Sequence, residues 1–525
     1  MKPTAYAILV LALFAGTDFA KDAAPPTADR PWAPPRLGDY ERELAGRSAR
    51  EKGDGNHTPV DPGRIYTLPE LIDLAQRNNP ETRVAWERAR LAAAGVGLSE
   101  SLYYPYLAAS AGAGYERAFI PFPTLAVDLR PEAQQLASNP QASLHSLETQ
   151  KQPLPNVSIV GGGSLVTDAV ASRVALSVKW LLLDFGERKA GVDAARERLM
   201  MANVGFNATH QKVVFEVTQR FYALSDARQK VIVGKAAFHA AQTIEQSANA
   251  RLKNGLATKP ELLQAQQQTA QFEFELEAAI GAESDAEIAL IESLGIPPTT
   301  RIEVADIAGL PLPSPPDRSV DALIDAALSQ RPDLIAKLAN VHAREAEVRK
   351  ARADFYPKVA VDAHVGRLEL DVSVAGSDYF GDNHTVYGAG IAVEVPIFDG
   401  FERRQKLRVA EADLRAAESE LSGARDAAVR EVWKAFTDFK TALRKQDAAA
   451  KLLTAAENAY AAVLESYDHG LSTYVEVVNA QRNVTAARSV GSETRAAIFT
   501  SAAALALSVG DLARPKPQPA PLRQR

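Results

Sequence analysis

The amino-acid sequence predicts an α+β membrane protein built from an internally duplicated chain, with four β-barrel strands and two long antiparallel helical hairpins. Three observations predict it. Blocks of residues recur at fixed displacements, two proline-free stretches carry a heptad seam, and the segments between them alternate with period two.

Composition narrows the field. The 525 residues carry 59 Lys and Arg against 65 Asp and Glu, a net charge of −6, so no basic excess suits nucleic acid. The absence of cysteine removes disulfides, thiolate metal sites, a thiol nucleophile and lipoprotein acylation. Apolar residues make up 46% but aromatics only 7%, which suits long alanine-rich helices better than one large core.

In chain order, residues 1–20 read as a secretory signal peptide, with Lys2 ahead of an apolar run from Ala5 to Gly16 and cleavage near Ala20. Residues 21–64 are rich in proline and charge, and residues 513–525 in proline and arginine, so both are expected to be extended. No later stretch has the roughly 18 apolar residues of a spanning helix, and Ala502–Val509 is far too short. The membrane would therefore be entered by strands.

The duplication sets the domain limits. Leu71-Ile72-Asp73, Ala75, Pro80-Glu81 and Tyr104-Pro105 recur, displaced by 252, as Leu323-Ile324-Asp325, Ala327, Pro332-Asp333 and Tyr356-Pro357. Asp184, Gly255-Leu256, Thr258, Ala265-Gln266 and Gly295 recur, displaced by 215, as Asp399, Gly470-Leu471, Thr473, Ala480-Gln481 and Gly510. A first repeat over residues 65–298 and a second over 320–512 flank a linker, 299–319, that is proline-dense from Pro311 to Pro316. The single change of displacement falls between Pro105 and Asp184, so the middle of each repeat carries loops of different length.

The rear of each repeat reads as a helical hairpin. Leu407, Ala410, Leu414, Ala417, Leu421, Ala424 and Ala428 step by threes and fours, and Val192, Ala195, Leu199, Ala202, Phe206, Thr209 and Val213 repeat that seam. No proline occurs over residues 187–253 or 401–468, so each can be one helix of ~65 residues, ~100 Å long. Asn254-Gly255 and His469-Gly470 then end the pattern as two-residue turns with a left-handed glycine.

The middle of each repeat reads as two strands, at about 106–118 and 173–183, and at about 358–370 and 386–396. Val174, Leu176, Val178, Trp180 and Leu182 oppose Arg173, Ser177 and Lys179, and Val359, Val361 and Val365 oppose Asp362, His364 and Gly366. Tyr387, Ala389, Ile391 and Val393 oppose Gly388, Gly390 and Glu394. Residues 119–172 would form a loop outside the cell, holding Gly161-Gly162-Gly163-Ser164, which lacks the lysine of a phosphate loop. One apolar and one polar face make a barrel wall with Arg173, Lys179, Asp362, His364 and Glu394 on the lumen side. Four strands cannot close, and hydrocarbon tolerates no open edge. Two, three or four copies would complete the sheet; three is the expectation.

These residues resemble the TolC-like outer-membrane efflux protein family. The likeness runs over about residues 65–512 and rests on the doubled Leu-Ile-Asp and Tyr-Pro motifs, Leu294-Gly295, Pro396-Ile397-Phe398-Asp399-Gly400, and Tyr467 and Gly470 followed by Val475 to Gln481. It implies a homotrimer with a 12-stranded barrel in outer-membrane lipid and a 12-helix periplasmic tunnel. Such a channel gives passive exit for a tripartite efflux pump or type I secretion system. It also implies partners: a periplasmic adaptor and an inner-membrane transporter. The adaptor would meet the hairpin tips at Arg251, Lys253, Asn254, Gly255 and Leu256, and at Asp468, His469, Gly470, Leu471 and Ser472. The periplasmic entrance would be set by Tyr467, Glu476 and Asn479. Relatives often carry two carboxylates after the second tip and an arginine after its glycine, where this chain has Glu476, Asn479 and Ser472. That leaves one ring of carboxylates, or else Glu476 is simply a solvated helix charge.

No catalytic constellation appears, and no enzymatic activity, cofactor or metal is expected. The eight histidines, at 57, 145, 210, 239, 342, 364, 384 and 469, show no i, i+4 pair. The alternative is a periplasmic coiled-coil adaptor or scaffold without a pore.

Overall fold

In the computed structural model of the chain, residues 37–53, 60–61, 63–127, 157–307, 309–374 and 376–512 are described. The signal-peptide reading and the 513–525 tail lie outside the described residues. The elements in order are α1 (Leu37–Gly53), β1 (Ile65–Tyr66), α2 (Leu68–Asn78), α3 (Pro80–Ser101), β2 (Tyr106–Val127), β3 (Val157–Leu183), α4 (Glu187–Lys253) and α5 (Lys259–Leu294). Then follow β4 (Glu303–Val304), α6 (Val320–Gln330), α7 (Pro332–Ala353), β5 (Lys358–Val374), β6 (Ser377–Glu394), α8 (Glu402–Asp468) and α9 (Tyr474–Val509). The duplication is kept to the residue: α4 and α8 both have 67 residues, α5 and α9 both have 36.

The chain divides into two compact units, one of residues 1–82, 212–314 and 441–503, the other of 83–211, 315–440 and 504–525. Unit one has its core where α2, the middle of α4 and the end of α5 meet. Leu71, Leu74, Val217, Phe221, Leu224, Leu290 and Leu294 are buried there, and Tyr222 stacks on Phe499 at 4.8 Å. Beside it β1 pairs in parallel with β4, a two-residue ladder too short for a sequence pattern to reveal. Gly295 (φ 68°) ends α5 so close to the backbone that a Cβ would lie 2.7 Å from Asn79 Cα. The Asn79 amide then donates to Ser293 O at 3.0 Å.

Unit two holds an antiparallel sheet in the order β2-β3-β5-β6. Both hairpins keep the same register: Tyr106 faces Lys179, and their equivalents Lys358 and Glu394 face each other. The turns that join the sheet to the long helices are built twice. Asp184 accepts from the Arg188 backbone N–H at 2.8 Å and guanidinium at 2.7 Å, and Asp399 does the same with Arg403 at 3.0 and 2.6 Å. Arg188 lies over the Tyr103 ring and Arg403 over the Phe355 ring. The two left-handed turn residues are Phe185 and Gly186 in the first copy, Gly400 and Phe401 in the second. The end of α9 repeats the Gly295 arrangement, with Gly510 (φ 84°) packed 3.1 Å from Arg331 Cα and Arg331 donating to Ser508 O.

Four expectations are corrected. Residues 37–53 form a helix, not an extended segment, with an Asp39–Arg42 pair one turn apart. The strands run further than 106–118, 173–183 and 358–370, and β6 starts at Ser377 and ends at Glu394 rather than spanning 386–396, since β2 pairs with β3 out to Val127 opposite Val157 and β5 with β6 out to Val374 opposite Ser377. Residues 119–127 and 157–172 of the supposed loop are therefore strand, with Gly161–Ser164 inside β3, and its remainder, 128–156, lies outside the described residues. The helical hairpins turn through five residues each, 254–258 and 469–473, rather than two.

Candidate functional site

The two hairpin tips, both in unit one, have the same construction. At the first, Gly255 (φ 72°) donates to Leu252 O at 3.0 Å and Leu256 N–H donates to Arg251 O at 2.8 Å. At the second, Gly470 (φ 76°) donates to Tyr467 O at 3.0 Å and Leu471 N–H to Ser466 O at 2.8 Å. This bond pair closes a helix on a left-handed residue, which glycine occupies without strain. The next helix starts on a capping box, Thr258 with Glu261 and Thr473 with Glu476, in which the glutamate accepts from the threonine backbone N–H at 3.3 and 2.7 Å. The Thr-x-x-Glu spacing that signals these caps is legible in the sequence and is missing from the expectations above.

The turn geometry pushes Leu256 and Leu471 outward, 70% and 83% exposed. Lys253, Asn254 and His469 are exposed beside them, Ser472 is half-buried, and Asp468 is the last residue of α8. Arg251 instead reaches the second tip: its guanidinium donates to Tyr467 O at 3.3 Å and lies 4.5 Å from the Tyr467 ring centre. Tyr467 packs between helices, buried with Ile244, Ala248, Ala265, Tyr474 and Val477. Burial pushes the Tyr474 hydroxyl up to about 12. Glu476 and Asn479 are both exposed. Glu476 therefore combines a cap, made through one carboxylate oxygen, with a charge in solvent.

The sheet sorts its side chains as alternation requires. Register places Arg173, Lys179, Asp362, His364 and Glu394 on one face, with Lys179 opposite Asp362 and His364 between Ser177 and Gly388. The other face carries an apolar band, with Leu107, Val174, Leu176, Val365, Tyr387, Ile391 and Val393 all exposed. Ten residues of strand at ~3.3 Å each, tilted by ~40°, make a band ~25 Å tall, the height of a hydrocarbon core. Its lower edge is aromatic, with Trp180 donating to Tyr103 O and Phe185 stacked on Tyr356. At its upper edge the same face turns polar. Tyr115 and Arg117 both donate to Asp168, Arg367 donates to Asn383, and Ser172 to Glu369. Apolar side chains in the middle, aromatics below and a hydrogen-bonded polar row above are the profile of a wall crossing a bilayer. No described helix is long and apolar enough to cross a membrane.

The sequence profile of the outer membrane efflux protein family matches residues 132–296 and 323–511, one stretch in each repeat. The chain belongs to the outer membrane efflux protein family. Protein CyaE of Bordetella pertussis is 28% identical over 462 residues, covering 87% of this chain and 86% of CyaE. Outer membrane protein OprJ of Pseudomonas aeruginosa is 24% identical over 342 residues, covering 64% of this chain and 68% of OprJ. The CmeC outer membrane channel of Campylobacter jejuni shares the fold with a TM-score of 0.67 at 18% identity, covering 85% of each chain. This outer-membrane efflux protein is thus a channel-forming component of the outer membrane, and membership decides against the adaptor alternative.

Proposed function

We propose that three copies of this efflux protein close the sheet into a 12-stranded barrel continued by a 12-helix periplasmic tunnel. The duct gives passive exit to substrates delivered by an inner-membrane transporter and carries out no chemistry of its own. The observation that carries the reading is a four-stranded sheet, apolar on one face and polar on the other, with both edges open. Hydrocarbon tolerates no open edge, and four strands are too few to enclose a lumen. In this assembly Arg173, Lys179, Asp362, His364 and Glu394 face the lumen, and the polar row at Arg117, Asp168 and Arg367 stands above the outer leaflet.

The tips are the docking surface for a periplasmic adaptor. Leu256 and Leu471, exposed on turns of identical geometry, offer the adaptor two equivalent apolar knobs per copy, rimmed by Lys253, Asn254, Asp468, His469 and Ser472. Arg251 holds the second tip through Tyr467, and Glu476 with Asn479 borders the periplasmic entrance. Planar-bilayer recording tests the duct: purified protein should insert with discrete, uniform conductance steps. Protein that reaches the bilayer without producing steps would contradict it.

A further inference from the structure

The polar face of the sheet ends in a recess. Where β2, β3 and β5 meet α3, α4 and α7, the chain leaves a hollow of about 770 Å³, a volume that suits a small organic molecule. Its whole wall belongs to unit two. Tyr106 stands opposite Lys179 and Leu181 opposite Ala360, so these side chains share the face that carries Arg173 and Asp362. Gly191 adds to the hollow, since a Cβ there would meet nothing within 4 Å.

Four cations and one acid line the recess, and two of those cations already have counter-charges. Arg188 is held by Asp184 at 2.7 Å, and Lys358 by Glu187 at 2.6 Å and Asp354 at 3.1 Å. Lys179 and Lys350 have no ion pair among the described residues. Asp362, across the strand pair from Lys179, holds its carboxylate over β6 instead, 3.5 Å from where a Cβ on Gly390 would stand. The arginines beside Lys350 do have partners, Arg349 with Asp193 and Arg352 with Glu411. Two unpartnered lysines, one from β3 and one from α7, therefore line a single recess whose walls Leu102, Tyr106 and Leu181 make largely apolar.

The duplication supplies an independent observation. It puts Glu394 at the position equivalent to Lys179, Leu98 at that of Lys350 and Lys406 at that of Gly191. Lys406 then closes on Glu402 at 2.8 Å. The repeated backbone plan accepts an acid or an apolar residue at the lysine positions and a long side chain at the glycine, so it demands neither the cations nor the hollow. Unpartnered cations beside an apolar wall suit an anion with an apolar body.

We propose that the recess is a holding site on the exit path for organic anions with an apolar body. The anionic group sits between Lys179 and Lys350, and the body lies against Leu102, Tyr106 and Leu181. The proposal rests on the duct reading, which puts this face of the sheet on the lumen, and it names a cargo class for that duct.

Binding of naphthalenesulfonate to the full-length protein in lipid nanodiscs, with empty nanodiscs subtracted, tests the site. Saturable binding is expected, and it should weaken about tenfold in the double variant Lys179→Gln with Lys350→Gln. Neutral naphthalenesulfonamide should show no difference between the protein and that variant. Both lysines are exposed and unpaired, so the variant should keep its melting temperature. In bilayer recordings the sulfonate should lower the conductance of the protein and leave that of the variant unblocked. No saturable binding, or equal binding to the double variant, would overturn the site. Saturable binding with conductance steps that the sulfonate leaves untouched would overturn its placement on the exit path. Absence of conductance steps would overturn the duct itself, and the binding experiment would still decide the recess.

Discussion

The two halves of the chain share their geometry far more strictly than their chemistry. Glu100 in α3 pairs with Arg196 in α4, and the equivalent positions of the second half hold Arg352 and Glu411, the same contact with its charges reversed. The left-handed turn before each long helix uses phenylalanine then glycine in one half and glycine then phenylalanine in the other. Asn79 and Arg331 hold equivalent positions in the two repeats, one as a neutral amide and the other paired with Asp333 and Glu431. What is held fixed is backbone: helix lengths, hairpin register, left-handed glycines and the Asp–Arg clasp. A barrel of repeated units requires this, since each seam must present the same spacing of N–H and C=O groups while side chains can exchange.

The comparison makes graded predictions. The largest effect is expected at the clasps. Arg188 and Asp184 are 9% and 8% exposed, and the guanidinium also donates to Leu102, Leu181 and Leu182 carbonyls. Asp184→Ala leaves that cation buried without its counter-charge and should cost about 3–5 kcal/mol. Asp399→Ala should cost less, because its pair is more exposed, at 14% and 24%. Equal losses of thermal stability would break the distinction. The same clasp predicts a pH response. Burial opposes ionisation of Asp184, but hydrogen bonds from the Arg188 N–H and guanidinium outweigh it and hold the carboxyl below its usual value. Its stabilisation is complete above the unfolded-chain value of about 4 and is lost as pH falls through the lower folded value. An acid titration of melting temperature should therefore fall less steeply in Asp184→Asn.

Next come the glycines that end α5 and α9. Gly295→Ala meets three backbone atoms within 3.0 Å in addition to its left-handed φ, and should cost about 2–5 kcal/mol. Gly510→Ala meets its nearest atom at 3.1 Å and should be milder. At the tips, where Gly255 and Gly470 have open space around them, substitution by aspartate should abolish export while leaving assembly intact. Unchanged export would remove these positions from the docking surface. The smallest effect is at Glu476. Glutamine can still close the capping box, so Glu476→Gln removes only the charge, and cation preference in bilayer recordings should fall. Glu261→Gln at the first tip is the control, and an unaltered reversal potential in Glu476→Gln would leave that residue a helix cap alone.

The sequence made the helices legible because a heptad seam over 67 residues is a long signal, and glycine punctuates it at both tips. It made the membrane band legible for the same reason at period two. The strand extensions were not, because the pattern changes sides: beyond Val365 the outward positions become Arg367, Glu369 and Asp371 while Leu368 and Leu370 take the other face. Ladder bonds continue through that inversion, but an apolar alternation cannot show it. Pro121 and Pro123 also lie in β2, beside a ladder irregularity between Pro123 and Leu125, and proline within a run reads as a break rather than a strand. At the tips, the glycines were visible and the role of Arg251 was not, since its contact with Tyr467 joins residues 216 apart.

The central claim is that copies of this chain share one barrel. Light scattering on protein extracted in detergent from a washed outer-membrane fraction, corrected for bound detergent, measures it directly. A protein mass near three times 56.4 kDa is the predicted result. A monomer mass in that fraction, or a water-soluble chain absent from it, would contradict it.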